Sequence, residues 1–228
     1  MIAGGYSGDS ALSNFVGFVR DKAGAITTFD APGTGCAAGG CDTFPQSIND
    51  SGVIAGYYLD GDGLNRGFVR DKAGAITTFD APAAIYDTVL RSINNSGAIA
   101  GFYLDADFVP HGFVWDKARS ITTFTTFDAP GAIYATIPAS INNSGAVAGY
   151  YVDANGVFHS FVRDKAGAIT TFDAPGAING TAAVSINNSG AIAGSYVDAD
   201  GVSHGFVRDK AGAITTVDAP GAIYGPPP

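Results

Sequence analysis

The chain is built from repeats, and their length constrains the fold more than any other feature. The stretch SINNSGAIAG at residues 92–101 returns unchanged at 185–194, and close variants of it begin at Ser47 and Ser140. A second stretch, GFVRDKAGAITTFDAP, begins at Gly17 and returns four times with small changes, about 47 residues apart on average. Repeats of this length are typical of β-propeller blades, whereas leucine-rich and hexapeptide solenoid repeats are shorter.

Each repeat divides into four predicted β-strands. In the fourth repeat these are strand a (Ala135–Asn142), strand b (Ala146–Asp153), strand c (Phe158–Asp164) and strand d (Ala168–Asp173). Glycine-containing turns separate the strands, and Gly145 is expected in the left-handed conformation that closes a tight turn. Strands rich in β-branched and aromatic residues, with closely spaced turn signals, predict an antiparallel meander.

Five such units predict an all-β fold, a five-bladed β-propeller of four-stranded antiparallel blades. Both faces of strand b are apolar, which favours blades that are covered on both sides by neighbours. Strand a occurs only four times, so we expect nineteen strands and a propeller one strand short of full closure. The first blade is expected to pack against the fifth, giving a monomer. The predicted single domain is 1–228, with repeat units of approximately 1–44, 45–89, 90–137, 138–182 and 183–228.

Composition supports this fold and excludes several functions. All 21 acidic residues are aspartates. Glutamate favours helices and aspartate favours turns, so strands and turns are again expected. With only 12 lysines and arginines and a formal net charge of −9, the chain is not expected to bind nucleic acid. No apolar run approaches the roughly 20 residues of a membrane-spanning helix, so no membrane insertion is expected. No cofactor is predicted.

The repeated stretches SINNSGAIAG and HGFVRD resemble the HAF-type probable extracellular repeat. Units of that family carry an Ile-Asn-x-x-Gly turn and a His-Ala-Phe-like strand. This chain has His-Gly-Phe or His-Ser-Phe instead, and Arg where a Trp is usual, except at Trp115. The resemblance implies a secreted or cell-surface bacterial protein of unassigned activity. No signal peptide is visible in the opening residues, so we expect a leader to have been removed or replaced by Met1.

Cys36 and Cys41 lie in a glycine-rich insertion of the first repeat. A local disulfide is the favoured interpretation, and it agrees with an oxidising compartment. A metal site is disfavoured because the spacing is not Cys-x-x-Cys and no histidine is nearby in the sequence.

The turns between strands b and c are rich in aspartate. Asp and Gly are what hairpin turns require, so turn formation is the favoured interpretation. The Asp-x-Asp pattern also resembles the opening of a calcium loop, although the glutamate and the flanking helices of an EF-hand are missing. Calcium binding is therefore the alternative. Its candidate ligands are Asp60, Asp62, Asp105, Asp107, Asp153, Asn155, Asp198 and Asp200.

His111, His159 and His204 lie at equivalent positions, two residues before the phenylalanine of strand c. We expect them to share a packing or hydrogen-bonding role, because separate blades keep them apart. Glycoside hydrolysis is disfavoured because no glutamate is available as general acid and nearly all aspartates are repeated. A hydrolase site would need acids that are unique to one repeat, and only Asp42 and Asp87 begin to qualify. The chain is therefore predicted to be non-enzymatic, with a glycoside hydrolase-like enzyme as the second alternative.

Near-identical blades would present repeated pockets, which favours a multivalent ligand-binding module for carbohydrate or another cell-surface polymer. A structural repeat protein without a specific ligand is the alternative. We expect pockets between blades, where connector tyrosines stack on sugar rings beside asparagines of the SINN turn. The candidate ligand-binding residues are Tyr86, Asn94, Asn95, Tyr134, Asn142, Asn143, Asn187, Asn188 and Tyr224.

Overall fold

A computed structural model describes residues 1–7, 15–32, 42–118, 121–218 and 220, without the side chains of 117, 118, 121 and 122. Within these ranges the chain forms nineteen β-strands in five sheets and no helix. The prediction of an all-β chain with five sheets, the first of which has three strands, is confirmed.

Sheet 1 contains β1 (Ile2–Ser7), β2 (Phe15–Arg20) and β3 (Ile26–Phe29). The other four sheets each contain strands a to d in chain order. Sheet 2 contains β4 (Thr43–Ile48), β5 (Ile54–Leu59), β6 (Asn65–Arg70) and β7 (Ile76–Phe79). Sheet 3 contains β8 (Thr88–Ile93), β9 (Ile99–Leu104), β10 (Pro110–Ala118) and β11 (Ile121–Phe127). Sheet 4 contains β12 (Ala135–Ile141), β13 (Val147–Val152), β14 (Phe158–Arg163) and β15 (Ile169–Phe172). Sheet 5 contains β16 (Thr181–Ile186), β17 (Ile192–Val197), β18 (Ser203–Arg208) and β19 (Ile214–Val217).

The turn between strands a and b is closed by its own asparagine. In sheet 4 the Asn142 side-chain Oδ1 accepts hydrogen bonds from the backbone N–H groups of Ser144 (3.1 Å) and Ala146 (3.0 Å). Gly145 has φ = 85°, a conformation that side chains other than glycine rarely adopt. The left-handed glycine predicted from the repeat is confirmed. The SINN stretch therefore specifies a turn.

The core of each four-stranded sheet is a phenylalanine of strand c lying over a glycine of strand b. A Cβ atom built on Gly56 would overlap the carbonyl oxygen of Phe44 and lie 2.8 Å from the ring of Phe68. Phe68 is fully buried. Only glycine leaves room for this ring, which explains the Ala-Gly pair of every strand b. The same arrangement holds for Gly101 with Phe113, Gly149 with Phe161 and Gly194 with Phe206.

The chain divides into two compact units, one of Met1–Val109 with Phe113–Thr125, the other of Pro110–Gly112 with the residues from Thr126 onwards. In the first unit, one apolar cluster joins sheets 1 and 2 around Ile54, and a second joins sheets 2 and 3 around Ala55. In the second unit, a cluster around Ala148 joins sheets 4 and 5. The single-domain assignment and the repeat boundaries stay predictions.

Replacing Gly56 by alanine should lower the free energy of unfolding by about 2 kcal/mol, because the added methyl group displaces the Phe68 ring. Gly5 of sheet 1 provides a matched control, since its nearest non-neighbouring atom to a new Cβ would be 3.4 Å away. We expect Gly5→Ala to change stability by less than about 0.5 kcal/mol. Urea unfolding followed by circular dichroism measures both variants. Equal effects would contradict the packing described for Phe68.

Candidate functional site

Each sheet has two ends with different chemistry. The a–b and c–d turns lie at one end, here named the a–b end. The b–c turns lie at the opposite end, named the b–c end, together with the connectors that lead from strand d to the next sheet. These positions follow from the antiparallel order of the strands within each sheet.

A groove lies between consecutive sheets at the a–b end. Its volume is about 300 Å³ between sheets 1 and 2, about 270 Å³ between sheets 2 and 3, and about 390 Å³ between sheets 4 and 5. One wall consists of valine and threonine from strands c and d of the earlier sheet, and the other of the Ser-Gly turn and strand-c end of the later sheet. The wall residues include Val19, Asp21, Thr27, Ser51, Gly52, Arg70 and Lys72; Val69, Thr77, Ser96, Gly97 and Trp115; and Val162, Thr170, Ser189, Gly190, Arg208 and Lys210.

Two of the three grooves carry an arginine and a lysine from the same sequence position. The guanidinium carbon of Arg70 lies 4.8 Å from the Phe29 ring centroid, and that of Arg208 lies 4.7 Å from the Phe172 ring centroid. Such contacts hold each arginine against the earlier sheet. Lys72 and Lys210 are exposed and make no salt bridge with any residue that the structure describes.

The third groove has Trp115 in place of the arginine. Its indole stacks on Phe79, with ring centroids 4.5 Å apart and an interplanar angle of 15°. Trp115 is the single tryptophan of the chain. These cations and Trp115 were missed by sequence reasoning. The available signal was that nine of the 12 lysines and arginines belong to the repeated Arg-Asp-Lys or Trp-Asp-Lys segment.

Most of the predicted asparagines have turn or inter-sheet roles at the a–b end. The side chains of Asn94, Asn142 and Asn187 accept hydrogen bonds from their own turns. Asn95 accepts a hydrogen bond from the backbone N–H of Asp50, and Asn188 accepts one from the backbone N–H of Asn143. Two of the predicted asparagines, Asn142 and Asn188, also line the groove between sheets 4 and 5.

Tyr86 and Tyr134 lie at the other end of the sheets, so neither of these two tyrosines pairs with the asparagines as expected. Tyr134 precedes β12 and Asn142 follows it, and a seven-residue strand spans about 23 Å. Tyr134 is 56% exposed, whereas Tyr86 stacks on Phe108 with centroids 4.0 Å apart. Tyr224 lies outside the described residues, as do Cys36 and Cys41 with their predicted disulfide.

The three histidines share one arrangement at the b–c end. Nδ1 of His111 lies 2.9 Å from Asp128, that of His159 lies 2.9 Å from Asp173, and that of His204 lies 3.0 Å from Asp218. Each of these aspartates follows strand d of the same repeat. The expected repeat-equivalent hydrogen-bonding role of the histidines is confirmed.

A second carboxylate contacts two of these rings from the b–c turn. Nε2 of His204 lies 3.1 Å from Oδ2 of Asp198, and Nε2 of His159 lies 3.5 Å from Oδ2 of Asp153. In sheet 2 Arg66 takes the place of histidine, and its Nε donates to Oδ2 of Asp60 at 2.8 Å. In sheets 2, 4 and 5 a basic side chain therefore lies between two aspartate carboxylates.

These contacts shift the pKa values of the groups involved. Hydrogen bonds to Asp198 and then to Asp218 raise the pKa of His204. Burial acts to lower the pKa of His159, but the hydrogen bond and charge of Asp173, together with Asp153, outweigh it and raise that pKa. The backbone N–H of Val202, followed by His204, lowers the pKa of Asp198. A protonated imidazole of this kind can donate a hydrogen bond or a proton.

The predicted calcium ligands divide into turn-forming and exposed residues. In all four turns, Oδ1 of the first aspartate accepts two backbone N–H groups; for Asp60 these belong to Asp62 and Leu64, at 3.0 and 2.9 Å. Asp62, Asp107, Asn155 and Asp200 are exposed. Within the described ranges, no three histidines, cysteines or acids form a group that could hold a metal ion.

Asp42 and Asp87, the two candidate acids for a hydrolase site, connect neighbouring sheets. Oδ1 of Asp42 accepts the backbone N–H of Phe15 at 2.7 Å, and Oδ1 of Asp87 accepts that of Asn65 at 2.9 Å. Asp87 also accepts the side-chain amide of Asn65.

Comparisons with known proteins identify the fold. No protein-family model and no curated protein matches the chain. Among solved structures, a streptogramin B lyase has a TM-score of 0.55 at 19% identity, over 90% of this chain and 62% of that one. TolB from Acinetobacter baumannii has a TM-score of 0.59 at 15% identity, over 89% of this chain and 48% of TolB. The BP39L lectin from Burkholderia pseudomallei has a TM-score of 0.50 at 12% identity, over 95% of this chain and 69% of the lectin.

These similar structures are propeller-type proteins, so the chain has a β-propeller type of fold. It spans less than two thirds of the length of the first two. The prediction of a non-enzymatic protein is wrong, because structures with this fold include an enzyme, streptogramin B lyase. No helix in the described part of the chain is long and apolar enough to cross a membrane.

Replacing Asp218 by asparagine should lower the pKa of His204, because one of its two carboxylate partners loses its charge. His159 serves as the control within the same protein, since its partners are unchanged. Titration of the imidazole protons by NMR measures both. An unchanged pKa for His204 would contradict the cluster described above.

Raised histidine pKa values also fix the sign of the pH dependence of folding. Their contribution to stability is fully present below about pH 6.5 and is lost as the pH rises through the folded-state pKa. We therefore expect the wild-type chain to lose more stability than His159→Gln/His204→Gln between mildly acidic and alkaline pH. Thermal unfolding across that range measures the difference. Parallel profiles would contradict raised pKa values for the two imidazoles in the folded state.

Proposed function

We propose that this protein is a multivalent ligand-binding module whose inter-sheet grooves bind an acidic carbohydrate or another anionic cell-surface polymer. The observation that carries the proposal is the recurrence of one groove, with the same wall positions, between three pairs of sheets. A polymer with a repeating structure engages several such sites at once, so weak single sites add to a strong total affinity.

The anionic character of the ligand follows from the groove cations. Arg208 and Lys210 lie in the groove between sheets 4 and 5, beside the polar groups of Asn188 and Ser189. A guanidinium group presents paired N–H donors that match carboxylate, sulfate or phosphate, while amide and hydroxyl groups match sugar hydroxyls. The chain as a whole has a net charge of −9, but the charged residues that line these two grooves are Asp21, Arg70 and Lys72 in one and Arg208 and Lys210 in the other, so each lining carries a net positive charge that favours anions.

The groove between sheets 2 and 3 is expected to contact the same polymer differently. Trp115 presents a flat apolar surface there, next to Ser96 and Thr77. Aromatic faces and hydroxyl groups together suit the apolar and polar sides of a sugar ring. The fold also occurs in BP39L, which is named as a lectin, and this is compatible with carbohydrate binding. The HAF-type resemblance supports the further proposal that the protein acts outside the cell.

Binding to an immobilised polymer tests the proposal. We expect retention on a polyuronate or a sulfated polysaccharide, weaker retention on a neutral glucan, and a decrease with added salt. Trp115 reports on its groove, because its fluorescence should change when the acidic polymer is added. No change with any polymer at low salt would favour the structural repeat protein without a specific ligand.

Replacing the groove cations should weaken this retention. In the variant Arg70→Gln/Lys72→Gln/Arg208→Gln/Lys210→Gln we expect the apparent affinity for the acidic polymer to fall roughly tenfold or more. Arg91→Gln is the control, because Arg91 lies on strand β8 and lines none of the three grooves. Thermal unfolding confirms that the variants fold. Equal binding by the fourfold variant and the control would overturn the assignment of the grooves.

A further inference from the structure

One face of sheet 1 is exposed at positions that are buried in the following sheets. Ile2 of strand β1 is 57% exposed, whereas the equivalent Ile54, Ile99 and Ile192 are at most 1% exposed. Tyr6 is 44% exposed, whereas the equivalent Tyr58 is 6% exposed.

Strand β3 adds Ile26 to the same face of sheet 1, with 62% of its surface exposed. The equivalent Ile76 in sheet 2 packs against the apolar cluster that joins sheets 1 and 2. Sheet 1 therefore carries the residues that, in later sheets, cover the sheet before them.

One face of sheet 5 is exposed in the complementary way. Ala193 is exposed, whereas the equivalent Ala55 and Ala148 are fully buried by the sheets that follow them. Val207 is 41% exposed and Val217 is 54% exposed. Sheet 5 therefore carries the residues that, in earlier sheets, are covered by the sheet after them.

The two exposed faces are the two halves of one repeated interface. Between sheets 2 and 3 the halves meet, and Ala55 of the earlier sheet packs with Ile99, Tyr103 and Phe113 of the later one. The same halves meet between sheets 4 and 5 around Ala148 and Ile192. Sheet 1 therefore has a face that complements the exposed face of sheet 5. Exposed apolar faces of this kind mark interaction sites.

We propose that sheet 5 of one copy of this chain docks against sheet 1 of a second copy, continuing the stacking of sheets from one molecule to the next. The contact is head-to-tail, so a dimer still has one free face of sheet 1 and one free face of sheet 5, and assembly extends beyond the dimer. This inference does not depend on the binding of a polymer to the grooves. It is an alternative to the monomer expected from the sequence.

Two variants that each block one face test this contact. Ile2→Asp/Ile26→Asp places charges on the face of sheet 1, and Val207→Asp/Val217→Asp places them on the face of sheet 5. All four residues are exposed, so the substitutions leave the buried core intact. Ile85→Asp/Ile178→Asp is the matched control, because these connector isoleucines are 60% and 61% exposed and belong to neither face.

Light scattering coupled to size-exclusion chromatography gives the molar mass. We expect the mass of the wild type and of the control to rise with concentration beyond that of a dimer, and each blocked variant alone to be a monomer. An equimolar mixture of the two blocked variants should form a dimer and nothing larger, because one intact face of each kind remains.

Three results would overturn the proposal. A wild type that stays monomeric at the highest soluble concentration, with both blocked variants losing thermal stability, would show that the two faces meet within one chain. A monomeric wild type with unchanged stability in the variants would mean that the faces do not recognise each other. Blocked variants that still dimerise alone would indicate a symmetric contact.

Discussion

The contact between a glycine of strand b and a phenylalanine of strand c is the constraint on which the rest of the structure depends. Because Gly56 has no side chain, the ring of Phe68 packs directly against strand b and is fully buried. The two faces of the same strand pack against the neighbouring sheets through Ile54 and Ala55, and this stacking brings Val69 and Trp115 to opposite walls of one groove. The site is a consequence of how the core is filled.

The two ends of sheets 4 and 5 differ in charge. The b–c end holds aspartates around a single histidine, as with His204 between Asp198 and Asp218. The a–b end holds the arginine, aspartate and lysine of the c–d turn. A polyanion is therefore attracted to the a–b end of these sheets and repelled by the carboxylates at the b–c end. The two ends of the surface thus differ in what they can bind.

The sequence was sufficient to predict the fold and only part of the site. Period, turn residues and strand patterning agreed with one another, so five sheets and the position of Gly145 could be predicted. The tyrosine and asparagine of the expected pocket were wrongly combined, because proximity along the repeat does not reveal which end of a strand a residue occupies. Arg208 and Lys210 were overlooked because their neighbour across the groove, Val162, is about a full repeat away in the chain. Contacts of that range become visible only when the sheets are stacked.

Docking of sheet 5 of one molecule on sheet 1 of the next would form a further groove lined by cations. Arg20 and Lys22 occupy the positions of Arg70 and Lys72, and the preceding wall would be Val207 of another molecule. Each molecule added to a row would then create a groove that neither partner possesses alone. Retention on a polymer would depend on how densely the protein already covers it, so the first molecules bind loosely and later ones are deposited more firmly.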